Sequence, residues 1–150
     1  LVLHIIGGGN DMLSKQYLGN KTIIFYGKVY DQEKIAKISR QCFIGCYPGQ
    51  AGLSIVHYMS LSLPPLVCAD LTSHMGPEPS YIKNGINGFF FDEYSEESIA
   101  DKINEVIMIK KNATYQNIGK AAYNTYLCLN TPDLADKLSI EFNKALCDES

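Results

Sequence analysis

The chain lacks several features that would indicate particular classes of protein. Its 13 lysine and arginine residues are outnumbered by 16 acidic residues, which gives a net charge of -3. Proteins that bind nucleic acids cluster Lys and Arg against the phosphates, and no such cluster occurs here, so we expect no nucleic-acid partner. The longest apolar runs have the length of a β-strand, which predicts neither a membrane-spanning helix nor a signal peptide.

The cysteines also lack a recognisable pattern. There are five, and none forms a C-x-x-C pair with another: Cys42, Cys46, Cys68, Cys128 and Cys147. Because zinc-binding cysteines usually come in such pairs, we predict no metal site. An odd count leaves at least one cysteine without a partner in the chain, and we interpret the set as reduced, mostly buried thiols of a cytosolic protein.

What the chain does contain is enough sequence for one domain with a core of its own. It has 150 residues, of which 46% are hydrophobic and 19% charged, and these proportions are typical of a globular protein. No repeat, low-complexity stretch or linker divides it. The sequence opens inside a strand-like apolar run, Leu-Val-Leu-His-Ile-Ile, without an initiating Met. We therefore expect the chain to be a fragment of a longer protein.

Apolar runs rich in β-formers alternate with amphipathic segments along the first two thirds of the chain. We predict strands at residues 2–6, 22–26, 43–47, 66–69 and 88–91, with helices at 31–41 and 52–62 between them. The alternation predicts an α/β fold, a Rossmann-like doubly wound parallel sheet flanked by helices. Such continuous apolar strands are typical of a sheet that is buried on both faces.

The last third of the chain has a helical pattern only. Ser95 is the predicted N-cap of a first helix, and a second covers about residues 114–128. A third is predicted to start at Thr131-Pro132, with proline in the first turn. It places Leu134, Leu138 and Phe142 on one face. We therefore expect a helical C-terminal tail.

Three predicted loops at the carboxyl ends of strands are rich in glycine or turn residues: 7–10, 27–31 and 48–52. Open parallel sheets bind ligands at this edge, and glycine lets the backbone approach a ligand closely. The triple glycine does not continue into a dinucleotide-binding G-x-G-x-x-G motif, because its third glycine would fall on Met12. The acidic residue that such proteins place on the next strand is also missing. We therefore rank an NAD-dependent enzyme low.

Several segments together, in order, resemble retaining GT-B glycosyltransferases of family 4, the glycosyl transferases group 1. Residues 25–34, FYGKVYDQEK, resemble the family's f-x-G-x-V segment, and residues 48–64 resemble its glycine loop followed by E-A-M-A-x-G-x-P. Residues 76–78 and 82–89, GPE and IKNGINGF, resemble its G-x-P-E-x-I-x-x-G-x-x-G. The similarity runs from Ile5 to about Phe91. It implies the C-terminal, nucleotide-sugar-binding domain of a GT-B fold.

The resemblance implies a set of donor-binding residues. In the family, the backbone at Val29 and side chains at Asp31 and Lys34 hold the base. The backbone amides near Gly52 and Leu53 face sugar and phosphate, and an E-x7-E pair holds the sugar and the ribose. The complete predicted set of donor-binding residues is Val29, Asp31, Lys34, Gly49, Gln50, Gly52, Leu53, His57 and Glu78. No catalytic residue is assigned.

The sequence departs from the family at the E-x7-E pair, where Gly49 and His57 replace the two glutamates. A subset of polysaccharide-building relatives resembles it in this variant, P-G-x-x-G-L-x-x-I-H. A neutral imidazole at His57 can exchange one hydrogen bond with a ribose hydroxyl, and a protonated one favours phosphate. The alternative is that His57 packs against the sheet or caps a backbone group. For His4 we expect a core histidine whose ring nitrogens have hydrogen-bond partners. For His74 the sequence favours neither a position in the donor cleft nor one outside it.

The resemblance also implies which parts of the enzyme lie outside this chain. An Arg and a Lys upstream of Leu1 would neutralise the diphosphate without a bound metal, and an upstream domain would bind a glycan or lipid-linked acceptor. We therefore expect a cytoplasmic hexosyltransferase that retains anomeric configuration and is inactive as this fragment. Peripheral association with the inner face of the membrane stays open for the longer protein. The alternatives are a non-catalytic nucleotide-sugar-binding subunit and, ranked lower, an NAD-dependent sugar-modifying enzyme.

Overall fold

The computed structural model describes residues 1–9, 11–112 and 114–148. The chain divides into two compact units, Leu1–Phe43 and Ile44–Ser150. Each unit is described by itself below. None of the helices in the described part combines the length and the apolar character needed to cross a membrane.

The first unit contains a parallel two-stranded sheet and two short helices. Strand β1 (Leu3–Ile5) pairs with β2 (Ile23–Phe25), with Leu3 opposite Ile23 and Ile5 opposite Phe25. Helix α1 (Asp11–Gln16) connects them, and α2 (Gln32–Ser39) follows β2. Helix α2 buries Ile35 and Ile38, because their spacing of three residues places both on one helical face.

The second unit contains a three-stranded parallel sheet in the order β3 (Gly45–Cys46), β4 (Pro65–Cys68), β5 (Phe89–Phe91). Helix α3 (Ser54–Ser60) connects β3 to β4, and two 3-10 turns, Leu71–Ser73 and Glu78–Tyr81, lie between β4 and β5. Three helices complete the unit: α4 (Glu96–Lys110), α5 (Thr114–Asn130) and α6 (Leu134–Asp148). The central strand, β4, is buried at every residue.

The core of the second unit forms where α3 packs between the sheet and α5. It contains apolar side chains from the loop before α3, from α3, from β4, from the residue that follows the second 3-10 turn and from α5: Ala51, Ile55, Met59, Val67, Ile82 and Ala122. Helix α5 approaches the end of α3 closely, because a Cβ atom on Gly119 would lie 2.9 Å from the Ser62 carbonyl oxygen. Each large apolar side chain buried here contributes about 1.5–3 kcal/mol to folding. This core fixes the start of α3 relative to β4.

The α/β fold and the five predicted strands are confirmed. Four strands are shorter than predicted, and β4 begins and ends one residue earlier than predicted. Ser95 caps α4 as expected, since its hydroxyl accepts a hydrogen bond from the Ser98 N–H. Full burial of the strands is confirmed for β4 but is wrong for β1 and β2. Leu3 in β1 is 50% exposed, and the residues of β2 are half-buried. The described strands also form two sheets of two and three strands, where a single sheet was expected.

Two further expectations need correction. Helix α6 begins at Leu134, because the Asp133 carboxylate accepts a hydrogen bond from the Asp136 N–H and so caps the first turn beyond Pro132. The described cysteines are free, but only Cys68 is buried, and Cys128 is exposed on α5. The side chain of Cys147 lies outside the described part of the chain.

Candidate functional site

The most informative segment joins β3 to α3 and is called the 47–53 loop here. The Tyr47 N–H donates to the Leu66 carbonyl, so the parallel ladder extends one residue past β3 before the chain leaves the sheet. Helix α3 then begins behind Leu53, which provides no side-chain cap. Within the described residues, the N–H groups of Gly52 and Leu53 have no hydrogen-bond acceptor. The loop therefore presents backbone donors beside the exposed Leu53 side chain.

A second segment, residues 69–76, follows the carboxyl end of β4. The Asp70 carboxylate accepts hydrogen bonds from the Thr72 hydroxyl at 2.6 Å and from the Thr72 N–H at 3.0 Å. These two bonds hold the pKa of Asp70 below its ordinary value. The Ser73 hydroxyl is 2.7 Å from the Tyr94 hydroxyl, and the Tyr94 ring packs edge-on against Phe91. The turn is thus tied to β5.

His74 connects these two segments. Its Nδ1 accepts a hydrogen bond from the Ala51 N–H at 3.0 Å, and its Nε2 lies 2.9 Å from the carbonyl oxygen of Cys68. The next residue, Met75, donates its N–H to the Ala51 carbonyl at 3.1 Å. Both backbone groups of Ala51 are therefore bonded to the dipeptide 74–75. Sequence reasoning left the position of His74 open and missed this role, because no pattern in a single sequence joins positions 23 residues apart.

Glu78 opens the second 3-10 turn, and its carboxylate folds back over Gly76. A Cβ atom at position 76 would collide with Oε2 of Glu78, so this arrangement requires glycine there. Oε2 is buried and has no hydrogen-bond partner in the described part of the chain. A buried carboxylate oxygen without a donor is unfavourable.

The two positions that replace the E-x7-E glutamates lie at the 47–53 loop and on α3. His57 donates its N–H to the Leu53 carbonyl at 3.1 Å, so it lies one helical turn after Leu53, as expected. Its side chain is exposed and forms no hydrogen bond with the described residues. The alternative interpretation, packing against the sheet or capping a backbone group, is therefore wrong. Gly49 is half-buried and Gln50 is exposed.

In the first unit, the predicted base-binding residues lie around the start of α2. Asp31 is the N-cap of this helix, and its carboxylate accepts hydrogen bonds from the N–H groups of Glu33 and Lys34. Val29 is half-buried, whereas the Lys34 side chain is exposed. Asp31 consequently has a structural role that is sufficient by itself to explain an aspartate at this position.

The two glycine-rich loops of the first unit lie side by side at the carboxyl ends of β1 and β2. The Gly7 N–H donates to the Gly27 carbonyl, and the methylene groups of Lys28 lie over Gly8. Beside them is an open cavity of about 1050 Å³, which is lined by these loops and by apolar residues of both strands. None of the predicted donor-binding residues is among its described lining residues.

The expectation for His4 is confirmed in one part: the side chain has a hydrogen-bond partner, but it is half-buried and does not belong to the buried core. Its Nδ1 is 2.9 Å from the Tyr26 hydroxyl, and the two rings stack with their centroids 5.8 Å apart. This histidine has a hydrogen-bond partner across the sheet, and the contact explains its presence without a ligand.

Comparison with known proteins identifies a family for this arrangement of strands and loops. The sequence pattern of the family "Glycosyl transferases group 1" matches residues 1–125. A comparison with curated protein sequences finds no match.

Solved structures provide the comparison of folds. A glycosyltransferase from Rickettsia africae superposes with a TM-score of 0.73 at 17% identity, over 100% of this chain and 41% of its own. HepE from Anabaena, in complex with UDP, superposes with 0.68 at 16% identity, over 99% of this chain and 41% of its own. Sucrose-phosphate synthase from Thermosynechococcus elongatus superposes with a TM-score of 0.71 at 16% identity, over 99% of this chain and 39% of its own. The chain thus shares their fold and spans about two fifths of their length.

Proposed function

The chain belongs to the glycosyl transferases group 1 family, and from that membership we propose that it binds the nucleotide-sugar donor of a glycosyltransferase. The reaction transfers the sugar from the nucleotide diphosphate to a hydroxyl of a glycan or lipid-linked acceptor. The observation that carries the proposal is the family match over residues 1–125. The UDP and UDP-glucose bound by the similar Anabaena structures support a uridine nucleotide as the first donor to test.

In the second unit, the proposal assigns the donor to the 47–53 loop and Glu78. The N–H groups of Gly52 and Leu53 would donate to oxygens of the sugar or the phosphate, since no described acceptor occupies them. The Glu78 carboxylate would turn away from Gly76 and accept a hydrogen bond from a donor hydroxyl, which would remove the cost of the unpaired burial of Oε2. His57 would contact the ribose in the place of the family's second glutamate, and Gly49 and Gln50 would line the loop.

In the first unit, the proposal assigns the nucleotide base to Val29, Asp31 and Lys34. The Val29 backbone would bind the edge of the base. The exposed ammonium of Lys34 and the second oxygen of the Asp31 carboxylate would offer polar contacts. This assignment rests on the resemblance of residues 25–34 to the family's f-x-G-x-V segment.

When the donor reacts, the bond between the anomeric carbon and the diphosphate oxygen breaks. The electron pair leaves with the diphosphate, and the acceptor oxygen forms the new bond while losing its proton. Backbone N–H groups aimed at the developing charge stabilise such a transition state. The proposal places the chain in family 4, with retention of configuration, without a resident metal, and in polysaccharide synthesis. It assigns diphosphate neutralisation and acceptor binding to an upstream part of a two-domain cytoplasmic protein, which is consistent with the two-fifths coverage of the similar structures.

A second candidate function is a subunit that binds nucleotide sugar without transferring it. The specific observation in its favour is that Gly49 and His57 occupy the two positions of the E-x7-E glutamates. Sugar transfer by the longer protein that contains this chain would support the enzyme, whereas donor binding without turnover would support the subunit.

The test of donor binding is an NMR titration of the 15N-labelled chain with UDP, GDP and NAD in parallel. We expect UDP or GDP to shift amide signals at residues 52–57 and 29–34, and NAD to leave them in place. Lys34→Ala should reduce the shifts, whereas the control Lys37→Ala, an exposed lysine on the same helix, should not. Binding of NAD alone would contradict the proposal and support a nicotinamide-dependent enzyme.

A further inference from the structure

Ala51 is the point at which the 47–53 loop is attached to the rest of the second unit. Its side chain is fully buried in the core beside Ile55 and Met59. Its N–H and its carbonyl are both hydrogen-bonded, and both partners belong to the dipeptide 74–75. Gln50, directly before it, and Leu53, two residues after it, are exposed. The position of the loop therefore depends on where His74 and Met75 hold Ala51.

The hydrogen bonds of His74 define its protonation. Because Nδ1 accepts from the Ala51 N–H, it carries no proton, and the proton of the neutral ring is on Nε2. Nε2 then donates to the carbonyl oxygen of Cys68, the last residue of the fully buried strand β4. The imidazole is a rigid ring between these two backbone groups. It sets the distance from the loop to the centre of the sheet.

The segment that carries His74 is itself held in place. Asp70 caps the turn before it through both hydrogen-bonding groups of Thr72, and Ser73 bonds to the Tyr94 hydroxyl. Beyond it, the glycine at position 76 lets the Glu78 carboxylate fold back. The imidazole is therefore held at Nε2 by the carbonyl of Cys68 in β4, and its contact with the 47–53 loop is the hydrogen bond from the Ala51 N–H to Nδ1.

We propose that His74 is a positioning residue for the donor: it holds Ala51 so that the next two backbone N–H groups, those of Gly52 and Leu53, point at the bound nucleotide sugar. This inference rests on the proposed function, because it concerns the same loop. Both ring nitrogens of His74 are used by backbone groups, so the residue acts through the loop and does not contact the substrate. A doubly protonated ring, or a side chain without an acceptor, would release the Ala51 N–H.

The first experiment examines the ring without any ligand. Long-range 1H–15N NMR of the folded chain should show His74 as the neutral tautomer with its proton on Nε2. The Ala51 amide proton should be protected from exchange in the wild type and lose that protection in His74→Ala. A proton on Nδ1, or an Ala51 amide that is indifferent to the substitution, would overturn the inference.

The second experiment measures UDP affinity by NMR titration. His74→Ala should raise the Kd for UDP by about tenfold, the effect of losing one or two hydrogen bonds. His74→Gln keeps an acceptor and a donor and should recover part of the affinity. His4→Gln, the same change at a histidine in the first unit, should leave the Kd within about twofold of wild type.

The outcomes separate the inference from the proposed function. If wild-type chain binds no UDP, the proposed function fails, and the ring measurements still decide whether His74 holds the loop. If UDP binds and the folded His74→Ala and His74→Gln variants bind it as well as wild type does, the inference fails alone. Circular dichroism at the titration temperature establishes that each variant is folded. Should His74→Ala not fold, His74→Gln and the wild-type tautomer decide the inference.

Discussion

Oε2 of Glu78 lies in the space that a Cβ atom of Gly76 would fill. Only the absence of a side chain at position 76 allows the carboxylate to fold back over the backbone. The same oxygen is buried and has no donor among the described residues. The chain thus holds a polar atom without a partner next to the segment that holds the 47–53 loop.

This relationship predicts opposite effects of Glu78→Gln on stability and on binding. Glutamine has the same shape without the charge, and it should stabilise the free chain by about 1 kcal/mol, since burying a charge costs more than burying a neutral polar group. The same change should weaken UDP-glucose binding. Thermal unfolding and an NMR titration measure the two effects, with the exposed Glu93→Gln as the control. Loss of stability together with unchanged binding would show that Glu78 is only structural.

Asn87 links the turn before β5 to α5. Its side chain is 2% exposed, donates to the Tyr81 carbonyl and to the Thr125 hydroxyl, and accepts from the Lys83 N–H. Asn87→Ala removes all three hydrogen bonds, and only the Thr125 hydroxyl keeps another partner among the described residues, the Ala121 carbonyl. The free energy of unfolding should therefore fall by about 2–4 kcal/mol.

Asn84 provides the matched control for this prediction. It is exposed, and its side chain accepts one hydrogen bond, from the Phe90 N–H. Asn84→Ala should cost about 0.5–1 kcal/mol. Urea denaturation compares the two variants, and equal losses would contradict the assignment of Asn87 as the connecting residue.

Gly119 permits the close approach of α5 to the end of α3. Alanine normally stabilises a helix interior by about 1 kcal/mol relative to glycine. Here its Cβ atom would lie 2.9 Å from the Ser62 carbonyl oxygen, a backbone atom that cannot move alone. Gly119→Ala should therefore destabilise the chain by about 1–3 kcal/mol, as measured by urea denaturation. The neighbouring exposed Lys120→Ala should be neutral, and a stabilised Gly119→Ala would show that the helices are not in contact.

Burial raises the pKa of the Cys46 thiol from 9.0 to about 11. The thiolate is the nucleophile in alkylation, so iodoacetamide at mildly alkaline pH should modify the exposed Cys128 well before Cys46. Mass spectrometry of the folded chain gives the order of modification, and denatured chain, in which the two cysteines should react alike, is the control.

The same shift determines the sign of a pH effect on stability. The folded chain binds the thiol proton more tightly than the unfolded chain does. The stabilisation is therefore complete below pH 9 and is lost as the pH rises towards 11. Cys46→Ala should remove this part of the alkaline loss in urea denaturation measured across that range. A profile identical to wild type would contradict it.

The sequence was sufficient for the features that depend on neighbouring residues. Helix α2 begins within one residue of its predicted start, Ser95 caps α4, and each of the five strands overlaps its predicted apolar run. The glycine loop at residues 48–52 was identified because its glycines and proline are close together in the chain, between a strand pattern and a helix pattern. Family membership followed from the order of such short segments. All of these rest on local backbone preferences and on side-chain periodicity.

The tertiary structure alone decided what joins distant parts of the chain. Helix α6 begins after Asp133, whose carboxylate caps the first turn, and Pro132 lies before the helix. The residue pattern alone is compatible with either start. The bonds of His74 to Ala51 and of Asn87 to Thr125 cross 23 and 38 residues, and many side chains at those positions would be compatible with the same local structure. The sequence by itself therefore determined where the loops lie. The packing of the core determined which side chains hold them, because hydrogen-bond geometry exists only after distant segments have been brought within about 3 Å.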